Sequence, residues 1–162
     1  MQKITPCLWF EGNAEEAVKM YTSIFKNSKI LSTSRFDESS SKVSGMPKGS
    51  VMVMTFTIEG QEFMALNGGP IFKFSEAISF SISCKTQQEV DFFWETLSKG
   101  GSEGPCGWLK DKYEVSWQVS PTILEEMLRD KNPKKSQATM KAMLKMKKII
   151  IKDLQKAYDS AK

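Results

Sequence analysis

The chain has no histidine among its 162 residues. That absence rules out Ser-His-Asp and Cys-His nucleophilic mechanisms. It also removes the side chain most used for proton transfer near neutral pH and for holding zinc, iron, nickel or copper. Carboxylates, lysines, tyrosines and thiols are what remain for chemistry. Cysteine is scarce: Cys7, Cys84 and Cys106 are odd in number, far apart and form no C-x-x-C. The first two sit in apolar, strand-like runs where a thiol acts as a small hydrophobe, and Cys106 has no base to take its proton. Such usage fits a reducing compartment. No apolar run approaches the ~20 residues of a membrane helix. The opening Met1-Gln2-Lys3-Ile4-Thr5-Pro6 lacks a signal-peptide pattern, so a cytoplasmic protein with no membrane partner is expected.

What is present suits one globular domain with a real core: 40% hydrophobic and 26% charged residues. The formal charge is only +4. Its excess gathers after residue 130, at Lys131, Lys134, Lys135, Lys141, Lys145, Lys147, Lys148, Lys152, Lys156 and Lys162. Lysines mixed with Met140, Met143 and Leu144 could grip an acidic partner. No arginine or aromatic ladder accompanies them to read bases, so nucleic acid is not the expected partner.

The periodicity contains a duplication. Residues 4–10 form an apolar run, Glu11-Gly12 breaks it, and Asn13 with Glu16 can open a helix. That helix carries Ala14, Ala17, Val18, Tyr21, Ile24 and Phe25 at helical spacing. Residues 77–84 alternate strictly between apolar and small polar, as a half-buried strand does. Thr86 and Glu89 then open a second helix, striped by Val90, Phe93, Trp94 and Leu97 and stopped by Gly100-Gly101. Capping residues and stripes superpose at one constant offset between the two halves, as a duplicated unit would.

Strands are expected at 29–36, 51–58 and 62–67 in the first half, the last two joined by a tight turn at Glu59-Gly60-Gln61, with 37–50 as a mobile loop. In the second half they are expected at 107–110 and 115–119. Each half is then a βαβββ module, one over residues 1–68 and the other over 71–120, within a single domain. A helical extension follows over 121–162, with helices at 122–129, 133–147 and 153–161 and a docking or strand segment at Ile149–Ile151.

Paired βαβββ modules are the plan of the glyoxalase/bleomycin-resistance/dioxygenase, or vicinal oxygen chelate, superfamily. The chain resembles its PhnB-like branch, often labelled demethylubiquinone-methyltransferase-like. The likeness is carried by Phe10-Glu-Gly-Asn-Ala-Glu-Glu-Ala, Asn67-Gly-Gly-Pro, Ile78-Ser-Phe and Glu89-Val-Asp-Phe-Phe-Trp. It continues through Cys106-Gly-Trp-Leu-Lys-Asp-Lys-Tyr, Val115-Ser-Trp-Gln-Val-Ser-Pro and Met-Lys-Lys-Ile near the end. The resemblance implies an α+β fold whose paired modules form a curved mixed sheet around a cup, with C-terminal helices, in a homodimer. It also implies a glycine where Glu114 stands. Methyl transfer does not follow from the label, since none of the ten glycines lies in the G-x-G of a nucleotide-cofactor loop.

Carrying the superfamily's metal positions across gives Pro6, Ser79 (Ala77 in the alternative register), Asn67 and Gln118. Proline has no donor and the others are neutral, so neither a metal nor another cofactor is expected. Alternation places Ser79, Ser81 and Ser83 opposite Ile78, Phe80 and Ile82, and Ser116 and Gln118 opposite Val115, Trp117 and Val119. The polar set is expected on the concave face, joined there by Leu8 and Phe10; the alternative is that these serines face water on an open sheet. Leu8, Phe10, Asn67, Ser79, Ser81, Trp108 and Gln118 are therefore the candidate residues for a small organic ligand. Trp108 and Asp111 have structural readings too, closing the end of the sheet and capping a turn. The expected role is a metal-free binding protein. The alternatives are an enzyme using Asp111, Tyr113 or a lysine for proton transfer, and an interaction module working through the basic tail.

Overall fold

The computed structural model describes residues 2–161. The chain divides into two compact units, the first ending at Phe74 and the second starting at Ser75.

In the first unit a short apolar strand, β1 (Cys7–Phe10), leads through three residues into helix α1 (Ala14–Ile24). Strand β2 (Lys29–Arg35) follows, then helix α2 (Glu38–Ser44), β3 (Val51–Ile58) and β4 (Gln61–Asn67). The strands form one sheet in the order β1-β4-β3-β2, with β1 parallel to β4 and the other pairs antiparallel. Glu59 and Gly60, both at positive φ, make the tight turn between β3 and β4. The apolar stripe of α1, from Ala14 through Ala17, Val18 and Tyr21 to Ile24, is buried. Tyr21 stacks on Phe56 of β3, and Phe56 on Phe63 of β4. Each of these side chains contributes about 1.5–3 kcal/mol by leaving water.

The expected mobile loop at 37–50 instead holds α2. Asp37 accepts the Ser40 N–H at 2.7 Å while Ser40 Oγ accepts the Asp37 N–H at 2.9 Å, and Gly45 closes the helix at φ +74°. The start of α1 departs as well. Asn13 makes no capping hydrogen bond. Asn67, at the end of β4, accepts the Ala14 N–H at 3.0 Å in its place.

In the second unit, β5 (Phe80–Cys84) leads through only two residues into α3 (Gln87–Ser98). Thr86 accepts the Glu89 N–H at 3.2 Å, and the Glu89 carboxylate accepts the Lys85 N–H. Two-residue β6 (Ser102–Glu103), β7 (Trp108–Lys110) and β8 (Ser116–Pro121) complete a sheet in the order β5-β8-β7-β6. Val90, Trp94 and Leu97 of α3 are buried, as are Leu109, Trp117 and Val119 of the sheet. The architecture is α+β, a βαβββ module in each unit.

Helices α4 (Thr122–Leu128), α5 (Pro133–Met143) and α6 (Ile151–Ser160) close the second unit. Helix α5 stops four residues short of expectation; Met140 within it and Leu144 just past its end are exposed. Ile149 is a docking residue: it is fully buried with Leu124, Met127 and Leu154. Around it the tail hydrogen-bonds to the module itself. Met146 O accepts the Cys106 N–H, Lys147 O the Gly107 N–H and Ile149 O the Gln87 side-chain amide.

Between β7 and β8 the chain turns at Glu114, which sits at φ +69°. The left-handed region costs a residue with a Cβ about 1–2 kcal/mol, which is the physical reason to expect glycine there. Part of that gain is lost to glycine's greater unfolded freedom. Glu114→Gly is therefore expected to stabilise the protein by up to about 1 kcal/mol, seen as a higher urea midpoint at unchanged slope. A lower midpoint would show that the exposed Glu114–Lys110 pair outweighs the strain.

Candidate functional site

Period-two alternation gives the second sheet two chemically different faces. Register sets Phe80 beside Trp117 and Ile82 beside Val119, and this apolar set lies on the side of α3. On the opposite side Ser81 neighbours Gln118 and Ser83 neighbours Ser120. Across the next ladder Gln118 faces Trp108 and Ser116 faces Lys110. Directly opposed residues share a face, so Ser81, Gln118, Trp108, Ser116 and Lys110 form one polar and aromatic surface.

Gln118 is held on that surface by its side-chain N–H, which donates to Ser79 Oγ at 2.8 Å. Next to it opens a hollow of about 350 Å³, lined by Trp108, Lys110, Ser116, Gly104, Pro105 and Glu76 among others. The Lys110 ammonium lies 2.7 Å from Glu76 and 3.6 Å from Glu114. The hydrogen bond to Glu76 raises the Lys110 pKa, and the same bond lowers that of Glu76. Ser116 is only 2% exposed. Its hydroxyl is buried without a hydrogen-bond partner. A sealed, unmatched hydroxyl costs about 1–3 kcal/mol, which a ligand atom would recover by parting the side chains that cover it.

Asp111 follows Lys110 and is buried, but it holds the fold rather than lining the hollow. Its Oδ1 accepts the Tyr113 and Val115 N–H groups at 2.8 and 3.2 Å, and its Oδ2 accepts the Trp117 indole N–H at 2.8 Å. The thiol at Cys84, fully buried, is pushed up to about 11 by desolvation and remains protonated. Among the described residues no three His, Cys, Asp or Glu side chains gather as a metal-binding group. No helix among them is long and apolar enough to cross a membrane.

The expected ligand residues therefore part company. Ser79, Ser81, Trp108 and Gln118 share the polar face of the second sheet. Leu8, Phe10 and Asn67 do not lie on the corresponding face of the first. Leu8 and Phe10 are 6% and 2% exposed, and they pair with Ala65 and Asn67 on the side that α1 covers. The physical reason is one residue. Three residues join β1 to α1 and two join β5 to α3, so an offset that superposes the helices misplaces the strands by one position. A one-residue slip turns every side chain of a strand to its other face. Cys7 and Trp9 take the positions expected of Leu8 and Phe10. Trp9 donates its indole N–H to Gly69 O at 2.9 Å and meets Phe72 edge-on at 4.9 Å. Its ring lies where a Cβ on Gly68 would be, at 2.0 Å. Asn67 is occupied at both ends of its amide, by Ala14 N–H and Val51 O. Lys110 and Glu76, the charged pair of the hollow, went unmarked in the sequence. Strand alternation would have put Lys110 with Gln118, but Glu76 lies outside any strand.

Residues 2–120 match the sequence model of a family described as 3-demethylubiquinone-9 3-methyltransferase. The chain belongs to this family. No curated protein matches the sequence. Among solved structures, a PhnB protein from Bacillus cereus is 40% identical, with a TM-score of 0.66 over 75% of this chain and 100% of that one. Protein PA1353 from Pseudomonas aeruginosa is 21% identical, at a TM-score of 0.59 over 75% of this chain and 98% of that one. The fosfomycin resistance protein FosX from Listeria monocytogenes, complexed with Mn(II) and sulfate, is 16% identical, at a TM-score of 0.53 over 80% and 98%.

Proposed function

We propose that this member of the family is a cytoplasmic protein that binds a small organic molecule on the polar face of its second sheet, without a metal, and that it works as a homodimer. The observation that carries this reading is the buried, unpartnered Ser116 hydroxyl in a hollow walled by Trp108, Pro105 and Lys110. A few fixed polar groups in an otherwise apolar recess are what small-molecule sites are made of.

The donor set argues against a divalent cation of the kind bound in FosX. Ser79 and Gln118 are neutral and hydrogen-bonded to each other, and the Asn67 amide is committed to the backbone of its own unit. On the first sheet, the face that corresponds to Ser81 and Gln118 carries Cys7, Trp9, Met64 and Leu66. With no carboxylate among them, such residues supply no charge to hold Mn(II). Binding or sequestration is favoured over proton-transfer catalysis because Asp111 is tied to three donors in its turn.

Native mass spectrometry of gently purified protein tests the reading. A dimer mass with an added organic mass, lost when Ser116 is replaced by the bulkier valine, is the expected result. A stoichiometric metal mass would overturn the metal-free assignment. A monomer would overturn the homodimer.

A further inference from the structure

Lys110 and Ser116 stand directly opposite each other, and Trp108 stands opposite Gln118 one step along the same face. The hollow is thus graded, with an ammonium and an unmatched hydroxyl at one end and an indole at the other. Both charged acceptors lining it already have partners. Glu103 accepts the Trp94 indole N–H at 3.1 Å and lies 3.9 Å from Lys147, and Glu76 is seated on Lys110. What the hollow still offers is a donor, the Ser116 hydroxyl, and an apolar wall. A cationic ligand would have to take a carboxylate from its present partner. An anionic head could take the place of Glu76 on Lys110 and accept from the Ser116 hydroxyl as well.

Glu76 shows what such a head would look like in place. It lies in a turn outside the sheet, with its side chain 65% exposed, while the Lys110 side chain is 23% exposed. The more mobile, better solvated partner of the pair is therefore the carboxylate. Glu114 touches Lys110 from the following turn and would keep it upright if Glu76 left. We propose that the occupant is a small organic anion with a flat apolar body, its acidic head at Lys110 and Ser116 and its body on Trp108, and that the Glu76 carboxylate holds the head position until that anion displaces it. This assignment rests on the binding reading above and adds the ligand's chemical class and an internal competitor.

The probes are benzoate, neutral benzamide and benzylammonium, titrated into the whole protein and followed by the Trp108 indole and Ser116 amide resonances. Benzoate is expected to bind at least about tenfold more tightly than benzamide, as charge-assisted hydrogen bonds outrank neutral ones. Glu76→Gln is expected to tighten benzoate several-fold and leave benzamide unchanged, because it removes a competitor only for the anion. Lys110→Gln is expected to abolish the preference, with circular dichroism confirming the fold. Equal binding of benzoate and benzamide would sink the anion assignment while upholding the hollow as a site. Preference for benzylammonium, or benzoate affinity unmoved by Glu76→Gln, would sink the assignment as well. If no probe moves either resonance, the assignment falls, and the retained mass in native spectrometry alone decides the binding reading.

Discussion

Asp111→Ala is expected to destabilise the protein by about 3–5 kcal/mol, because it strips an acceptor from three donors at once. Two of these are the Tyr113 and Val115 N–H groups of the β7–β8 turn and the third is the Trp117 indole. Asp111, Val115 and Trp117 are all nearly sealed from water, so solvent cannot replace the carboxylate cheaply. Asp111→Asn should cost less but still substantially. One oxygen survives to accept, while the new NH₂ meets a donor whichever way the amide is turned. Urea unfolding gives the magnitude, and near-ultraviolet circular dichroism reports the packing of Trp117. A midpoint close to that of the parent for Asp111→Ala would show that the turn holds without its carboxylate, and would free Asp111 for the proton-transfer role argued against above.

Ile149→Ala is expected to cost about 2–4 kcal/mol through the cavity it leaves among Leu124, Met127 and Leu154. The second effect is local and more diagnostic. Ile149 anchors the segment whose carbonyls, at Met146 and Lys147, accept the Cys106 and Gly107 N–H groups. Those residues lead into Trp108, and Gly104 and Pro105 just before them line the hollow. Loosening the tail should speed hydrogen exchange at the Cys106 and Gly107 amides well beyond the change at β5, and should weaken the binding proposed for the hollow. Unchanged protection at those two amides would show that the loop is held without the tail.

Much of the fold was legible because it rests on short-range patterns. The stripe of α1, the Thr86–Glu89 cap of α3, the Glu59-Gly60 turn and the alternation of β5 each state their element within a dozen residues. What was not legible depended on partners far along the chain. Asn13 looks like a cap, yet Asn67, arriving from β4, does the capping. The Asp37–Ser40 box was present in the sequence but was hidden in a serine-rich stretch that resembles a loop. Two-residue β6 exists only because β7 is there to pair with it. The site divided along the same line. That Ser79, Ser81 and Gln118 share a face followed from alternation inside one module. Leu8 and Phe10 were misplaced because a duplicated pattern fixes a helix's phase without fixing the length of the connection before it. Lys110 was overlooked because a lysine in a turn-flanking strand resembles ordinary solvated charge until Ser116 is seen opposite it.

The tail's grip on the module has a further consequence. Two of its contacts are made by the main-chain carbonyls of Met146 and Lys147, and a carbonyl is the same whatever side chain follows it. Recognition of this kind is blind to residue identity. The exposed positions of the tail can drift, gaining or shedding positive charge, without undocking it, provided that Ile149 stays apolar and the chain keeps its length. Selection acting on the tail's surface and selection acting on the fold are thereby uncoupled, so a lineage could retune the protein's charge while the wall of the hollow stayed where it is.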